Sequence, residues 1–409
     1  MIFGTVYDDV WLKGGARTGF ADYGGVLARI SPTDLGIVAA KAALDRSGTK
    51  PETVDTVVGA NVAQSSYDAF YFPRHVGIYS GVPIDRPALL VQRLCTSGFE
   101  AILQAADAIK LGKAETGLCV GAESMSRNPV VSYTMRGGFR MGQAEFKDFL
   151  WESNLDTAPM KRMGDTAEAL AQRYQITREE VDAFAAESFA RGISARERGY
   201  FAGEIVPVET RRFERDGYVP RELALPRGVK SYGEDNHLRP TSREVLGGLK
   251  PAFGGVQTGG NSSAIVDGAA AVVVGGKSSA RNGAAPLARI VAGAAAGVPP
   301  EIMGIGPVPA IRHALELAGL ELDSIDRFEI NEAFGAQYIA VERELGLDRA
   351  KVNVNGGAIA LGHPLGATGV RCTLTLAREL KEKKLRYGIA SACAGGGQGV
   401  AIILENTAA

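Results

Sequence analysis

The chain repeats itself. Ala39, Ala43, Leu44, Gly48 and Asp55 recur without a gap as Ala310, Ala314, Leu315, Gly319 and Asp326, 271 positions later. The same offset carries Gly98, Leu103, Ala106 and Lys110 onto Gly369, Leu374, Ala377 and Lys381, and Gly117 onto Gly388. Any two helices that pack on sheets share some periodicity, so one match means little. A single offset held over three segments restricts the fold to two homologous α/β halves packed about a pseudo-twofold axis.

The elements of the first half follow from local pattern. Val10–Lys13 reads as a strand leading into a glycine-rich loop over residues 14–19. After Ser31-Pro32-Thr33-Asp34, residues 35–47 read as an amphipathic helix closed by Gly48. Residues 54–62, 88–91 and 117–122 have strand composition, with an aromatic loop over 67–79. Strands alternating with helices predict a mostly parallel sheet covered on both faces. From Arg127 to about Gly260 buried-strand composition disappears, with one clear helix over 178–198, which predicts an insertion lying over the core. Residues 268–275 then return to buried-strand composition.

Bulk properties exclude several classes. With 45 basic and 46 acidic residues there is no basic stripe for nucleic acid. No uninterrupted apolar run reaches the ~18 residues that span a bilayer, so no membrane partner is expected. The first ten residues carry two acids and no basic run, so no secretory leader is expected. Four cysteines, at 95, 119, 372 and 393, lack metal-ligand spacing and fit a reduced, cytoplasmic compartment without a metal.

Chemistry concentrates at Leu94-Cys95-Thr96-Ser97-Gly98, which opens an almost wholly apolar run over 99–109. The run reads as a buried helix with Thr96 or Ser97 as N-cap. Cys95 at its mouth would feel unpaired N–H groups and the positive end of the helix dipole, which favour thiolate. Three second-half loops map to the same end of the fold, because equivalent loops of two such halves converge at the carboxyl ends of the strands. They are Asn331-Glu-Ala-Phe334, the stretch from Asn355 to Gly369 containing Gly362-His363-Pro364, and Cys393-Ala-Gly-Gly-Gly-Gln-Gly399. Cys119 and Cys372 sit in apolar segments and read as core filler. His75, His237 and His313 match no catalytic pattern.

Taken together these motifs resemble the thiolase family of acyl-CoA C-acyltransferases. The resemblance rests on Cys95-Thr-Ser-Gly98, Gly121-Ala-Glu-Ser-Met-Ser126, Met163-Gly-Asp-Thr-Ala-Glu168, Gly259-Gly-Asn-Ser-Ser263, Met303-Gly-Ile-Gly-Pro-Val-Pro309, Asn331-Glu-Ala-Phe334, Gly362-His-Pro364 and Cys393-Ala-Gly-Gly-Gly397. It implies an α/β fold with a five-layer αβαβα core. Residues 1–122 with 264–283 would form the first half, 123–263 an inserted CoA-binding loop domain, and 284–409 the second half.

The resemblance also implies roles. Cys95 would carry the acyl group, because exchange between thioesters is nearly isoenergetic. His363 would be the base for Cys95, and Cys393 the acid/base at the α-carbon. His363 and a water on Asn331 would form one oxyanion hole, and the N–H groups of Cys95 and Gly395 the second. Met163 and Met303 would lie near the acyl pocket, Ala333 and Phe334 would be further substrate-binding residues, Ser263 and Phe253 would contact pantetheine, and Arg239 would meet a CoA phosphate. Acyl-CoA and CoA are the implied partners, with no redox cofactor, in a homodimer or homotetramer. The implied activity is cleavage or formation of 3-oxoacyl-CoA by ping-pong transfer through acyl-Cys95. A biosynthetic acetoacetyl-CoA thiolase, a β-ketoacyl synthase-like enzyme and a non-catalytic acyl-CoA-binding homologue are the alternatives.

Four departures from the family pattern stand out. Gln92-Arg-Leu-Cys95 replaces a common Asn-x-x-Cys, and Thr96 a smaller residue. Arg162 precedes Met163 where acetoacetyl-CoA-forming members usually have histidine, and Asp68-Ala-Phe-Tyr-Phe72 is unusually aromatic. The two arginine-bearing departures, at Arg93 and Arg162, incline the expectation toward degradation of acyl chains longer than acetoacetyl.

Overall fold

Residues 3–409 are described by the computed structural model. The first half runs β1 (Trp11–Thr18), α1 (Pro32–Ser47), β2 (Thr56–Ala60), α2 (Phe72–Ser80), β3 (Ala88–Val91), α3 (Ser97–Lys110) and β4 (Thr116–Ser124). The insertion contributes α4 (Met163–Arg173) and α5 (Arg178–Glu197), and β5 (Val266–Gly275) closes the half. The second half runs β6 (Ala288–Gly297), α6 (Pro307–Ala318), β7 (Arg327–Ile330), α7 (Gly335–Leu345), α8 (Leu365–Lys383), β8 (Tyr387–Ala394) and β9 (Gln398–Glu405). The strand order is β3-β2-β4-β5-β1-β6-β9-β8-β7, so the two half-sheets join where β1 meets β6.

Strand alternation divides the interior. On β5, Ala269, Ala271 and Val273 face the core beneath α1 and α2, while Ala270, Val272 and Val274 face a central core. On β9, Val400, Ile402 and Leu404 face the central core, while Ala401 and Ile403 face a third beneath α6 and α7. The central core is filled by α3 and α8, which pack on each other. Helix, sheet, helix, sheet and helix follow in turn.

The repeat survives at the level of single hydrogen bonds. Gly48 and Gly319 end α1 and α6 in the same left-handed conformation, at φ 61° and 63°. The Asp55 carboxylate accepts the amides of Glu115 (2.9 Å) and Thr116 (3.1 Å). Asp326 accepts those of Arg386 (2.8 Å) and Tyr387 (3.0 Å), one repeat later. Gly98 and Gly369 meet each other where α3 crosses α8.

That crossing gives a first prediction. A Cβ on Gly98 would lie 2.8 Å from both the Gly366 carbonyl oxygen and the Val370 nitrogen, which are backbone atoms that cannot rotate away. Gly98→Ala is expected to destabilise the protein by about 1–3 kcal/mol through overpacking. Chemical denaturation monitored by tryptophan fluorescence checks it, and an unchanged midpoint would mean that the helices part freely.

Several expectations are corrected. Residues 14–18 continue β1 instead of forming a loop, because Gly14 and Gly15 admit close neighbours: Ser47 of α1 and the Ala271 carbonyl of β5. The sheet is mixed and not mostly parallel. Pairs β2–β3, β2–β4 and β7–β8 are parallel, but the last strand of each half returns antiparallel beside the first. Residues 72–80 form α2, whose Phe72 and Val76 pack against Gly36 of α1, where the sequence read as a loop. The insertion holds two long helices and not one. It is pinned to the first half by Arg17, fully buried and bonded to Glu204 (2.9 Å) and to both oxygens of Asp235 (2.7 and 2.8 Å).

Candidate active site

Cys95 sits between β3 and α3 on a strained turn. Leu94, immediately before it, adopts φ 47°, a left-handed conformation that costs about 1 kcal/mol or more for a bulky residue. Hydroxyls hold this turn. Ser97 Oγ donates to the Leu94 carbonyl (2.7 Å) and accepts the Arg93 N–H (2.7 Å), while Thr96 Oγ1 donates to the Arg93 carbonyl (2.8 Å). The Arg93 guanidinium bonds Glu100 (2.9 Å) and Gln398 (3.1 Å). Thr96 therefore occupies the N-cap position without capping, and Ser97 is spent on the turn. Among the four cysteines only Cys95 is not fully buried.

The thiolate expectation is corrected too. Enclosure of the Cys95 sulfur pushes its pKa up to about 11, outweighing hydrogen bonds from the Gly395 and Cys95 amides that favour the anion. At neutral pH the resting group is a thiol.

The second half brings up the partners. Cys393, at the end of β8, is fully buried against Met303 and Ala333, with Met163 and Phe334 packed alongside. Burial raises its pKa, and the nearby Cys95 raises it further. The Gly395 amide reaches Cys95, and the space where Gly395 would carry a Cβ is bounded by Met163 Sδ at 3.1 Å and Leu94 Cδ1 at 3.2 Å. Glycine keeps that amide open.

Asn331 follows β7, and its Nδ2 lies 3.4 Å from His363 Nε2. The Asn331 Oδ1 is buried and has no partner among the described residues. An orphaned acceptor of this kind suits a bound water. His363 Nδ1 is 2.6 Å from Thr368 Oγ1. Burial, reinforced by the Arg371 guanidinium, pushes the imidazolium pKa down to about 3, so the ring is neutral.

The predicted binding residues divide into two groups. Ser263 donates its amide to the Ala333 carbonyl (3.0 Å), Phe253 packs on Gly164 and meets the Phe334 ring edge-on at 6.2 Å, and both therefore border the cysteine cluster. Arg239 does not. It is exposed, stacked over Phe189 and beside His237, with no contact to that cluster.

Three supports were missed by sequence reasoning. The buried Glu123 carboxylate accepts the amides of Val62 (3.1 Å), Ala63 (2.9 Å) and Gly366 (2.9 Å) and the Asn61 side chain (2.9 Å), joining first-half loops to the turn that follows His363. Desolvation pushes its pKa up to about 7, against those hydrogen bonds. Glu332 accepts from Ser188 (2.7 Å), Asn353 (2.9 Å) and the Ile359 amide (3.1 Å), fixing the helical turn before Gly362. Thr368 is the third. Two acids at the carboxyl ends of apolar strands, Glu123 at the penultimate position of β4 and Glu332 two residues past β7, were the available signal.

Two thiols and an amide at the ends of β3, β8 and β7, with a neutral imidazole in the turn that opens α8, can transfer acyl groups and move protons. Comparison with known proteins agrees. The model for the thiolase N-terminal domain matches residues 10–278, and that for the thiolase C-terminal domain matches 284–406. The human mitochondrial 3-ketoacyl-CoA thiolase is 45% identical over 404 residues, 98% of each chain. An acetyl-CoA acetyltransferase of Cupriavidus necator is 43% identical over 97% of this chain and 99% of its own. A crystal structure of the human mitochondrial enzyme superposes with a TM-score of 0.93 at 44% identity, covering 99% of this chain and 100% of that one. Its complex with CoA superposes with a TM-score of 0.91 at 44% identity, over 98% of each. The chain belongs to the thiolase family.

Proposed function

We propose that this protein is a 3-oxoacyl-CoA thiolase acting in acyl-CoA degradation, with CoA as substrate and acetyl-CoA as product. The observation that carries the reading is the juxtaposition of the Cys95 and Cys393 thiols, with the Gly395 amide directed at Cys95.

His363 Nε2 takes the Cys95 proton as the sulfur attacks the 3-oxo carbon. Because the thiol is neutral at rest, transfer accompanies attack instead of preceding it. The C2–C3 bond then breaks, its electron pair leaves on acetyl-CoA as an enolate, and Cys393 protonates that carbon. Cys393 thiolate next deprotonates an incoming CoA thiol, whose sulfur attacks acyl-Cys95; the shortened acyl-CoA leaves, and the expelled Cys95 thiolate takes back its proton from His363. The orphaned Asn331 Oδ1 supports a water beside His363 at the enolate oxygen, and the N–H groups of Cys95 and Gly395 serve the carbonyl held on Cys95.

Met163, Met303, Ala333 and Phe334 form the acyl wall, and Ser263 and Phe253 the pantetheine path. The insertion over 123–263 carries the CoA loops, with Arg239 as a surface cation for the nucleotide end. Arg162 supports a longer acyl chain: it is folded onto Trp151, 4.2 Å from the ring centroid and 2.9 Å from the Trp151 carbonyl, and does not offer the histidine of short-chain members. A homodimer or homotetramer is supported by the open edge of β3, whose Leu89 is 47% exposed, and by exposed Tyr67, Phe70 and Tyr71. Four free cysteines support a reducing, cytoplasmic setting.

The test is CoA-dependent cleavage of 3-oxoacyl-CoA esters of graded chain length, followed at the enolate absorbance. Highest kcat/KM is expected on an ester longer than acetoacetyl-CoA. A preference for acetoacetyl-CoA would support the biosynthetic reading, and no cleavage of any ester would remove the proposal.

A further inference from the structure

Thr368 is outside the chemistry just described, yet its hydroxyl is the only partner that the His363 Nδ1 has among the described residues. The same oxygen lies 3.2 Å from the Pro364 carbonyl. A hydroxyl carries one proton, and a carbonyl can only accept. If that proton goes to Pro364, Thr368 Oγ1 meets Nδ1 with a lone pair and requires a proton on Nδ1.

The internal repeat supplies a precedent for that arrangement, although Ser97 reaches the carbonyl three residues back and Thr368 the one four back. Thr368 is the equivalent of Ser97, 271 positions earlier. At Ser97 the assignment is forced: its oxygen sits 2.7 Å from the Arg93 backbone N–H, which can only donate, so its own proton goes to the Leu94 carbonyl. Both hydroxyls therefore serve the turn that opens a central helix, each between a carbonyl and a nitrogen. At Thr368 the nitrogen is a catalytic imidazole.

Asn331 agrees from the other side of the ring. It presents Nδ2 and not Oδ1 to Nε2, the orientation that suits a lone pair there.

Resting on the thiolase reading for the role of His363, we infer that Thr368 is a positioning residue that holds His363 as the Nδ1–H tautomer and so keeps the Nε2 lone pair available as the base. Because burial keeps the ring neutral, its single proton has to occupy one nitrogen. With the proton on Nε2 the ring could not accept from Cys95.

The experiment uses the full-length enzyme with ¹⁵N-ring-labelled histidine. There are four histidines, and His363→Asn assigns the relevant pair of signals. In the free wild-type enzyme, His363 should show a protonated Nδ1 and an unprotonated Nε2. Thr368→Val is close to isosteric, and the Pro364 carbonyl keeps the amides of Ala367 (2.8 Å) and Thr368 (3.0 Å). This variant should lose the tautomer bias and lower kcat on 3-oxooctanoyl-CoA on the order of tenfold to a hundredfold, with KM nearly unchanged. The rate of Cys95 alkylation by iodoacetamide should fall with kcat, and Thr368→Ser should restore most of both.

An Nε2–H tautomer in the wild-type enzyme would overturn the inference, as would a Thr368→Val enzyme with the wild-type tautomer and kcat. The wild-type spectrum decides the matter if Thr368→Val fails to fold. Failure of the thiolase reading shows up separately, as absence of cleavage by the wild-type enzyme whatever its tautomer.

Discussion

Replacing Cys95 with alanine is expected to lower kcat by about 10⁴-fold or more and to leave no acyl adduct on the protein. The size follows from how much of the structure serves this one sulfur. A leucine is held at φ 47° to present it, two hydroxyls and an arginine fix the turn, and two amides point at the thiol. Cys95→Ser should be nearly as inactive for two separable reasons. A hydroxyl is much harder to deprotonate than a thiol, and an acyl-serine ester lies well below a thioester in energy, so CoA would not release it.

The pH dependence has a definite sign. With Cys95 pushed up to about 11 and His363 down to about 3, both are neutral across pH 5–8. Alkylation of Cys95 in the free enzyme should therefore keep rising as pH increases through 9, without a plateau near neutrality. Intact-mass spectrometry after incubation with 3-oxoacyl-CoA, together with a turnover assay, provides the main check. Turnover by Cys95→Ala, or an acyl group on another residue, would remove Cys95 from the reaction.

Much of this arrangement is legible in the sequence because it is built from repeated local devices. A glycine after a helix, an aspartate before a strand and two glycines at a helix crossing each have a direct physical reason, and all recur at one offset. Cys95, Asn331 and Cys393 stand at the carboxyl ends of strands and His363 at the start of the second central helix, so the two-half reading already gathers them at one end of the molecule. Strand direction was less legible. An antiparallel last strand needs only a short connection in the second half, Gly395-Gly396-Gly397, but a long insertion separates β4 from β5 in the first. Composition cannot tell those cases from parallel crossovers, since strands buried on both faces are apolar in either direction.

Residues defined by tertiary contact were illegible for a different reason. Nothing in Gln92-Arg-Leu-Cys95 announces a left-handed leucine, because any signal lies in the partners of Arg93, seven and 305 residues away. The stretch over 67–79 reads as a loop rich in aromatics, and its Phe72-Pro73 step hides a helix start. Proline at the first turn of α2 is in fact well placed, where its missing N–H has no partner to lose. The expected low pKa of Cys95 failed because helix-terminus effects are modest, about 0.3–1 kcal/mol at exposed sites, and enclosure of a sulfur opposes them with a larger penalty.

Cys393→Ala is expected to separate the two halves of the reaction. Acyl exchange between an acyl-CoA and Cys95 expels CoA as a thiolate, a leaving group that needs little help from an acid. Carbon–carbon cleavage expels an enolate, whose carbon must be protonated, and in the reverse direction the α-proton of a thioester must be removed. The second task needs a base of high proton affinity. Cys393 suits it: burial and the neighbouring Cys95 both raise its pKa, so its thiolate is the more basic once formed.

The variant should therefore still take an acetyl group from acetyl-CoA onto Cys95, detectable by intact mass. Its cleavage of 3-oxoacyl-CoA should fall by about 10²–10⁴-fold. Loss of both activities would point instead to a packing role, since Cys393 fills the core beside Met303 and Ala333. Cys393→Ser, which nearly preserves that volume, distinguishes the cases. If the serine variant acylates normally and stalls at the carbon–carbon bond, the sulfur's proton chemistry is what the reaction needs from this position. Wild-type cleavage by either variant would mean that another group handles the α-carbon.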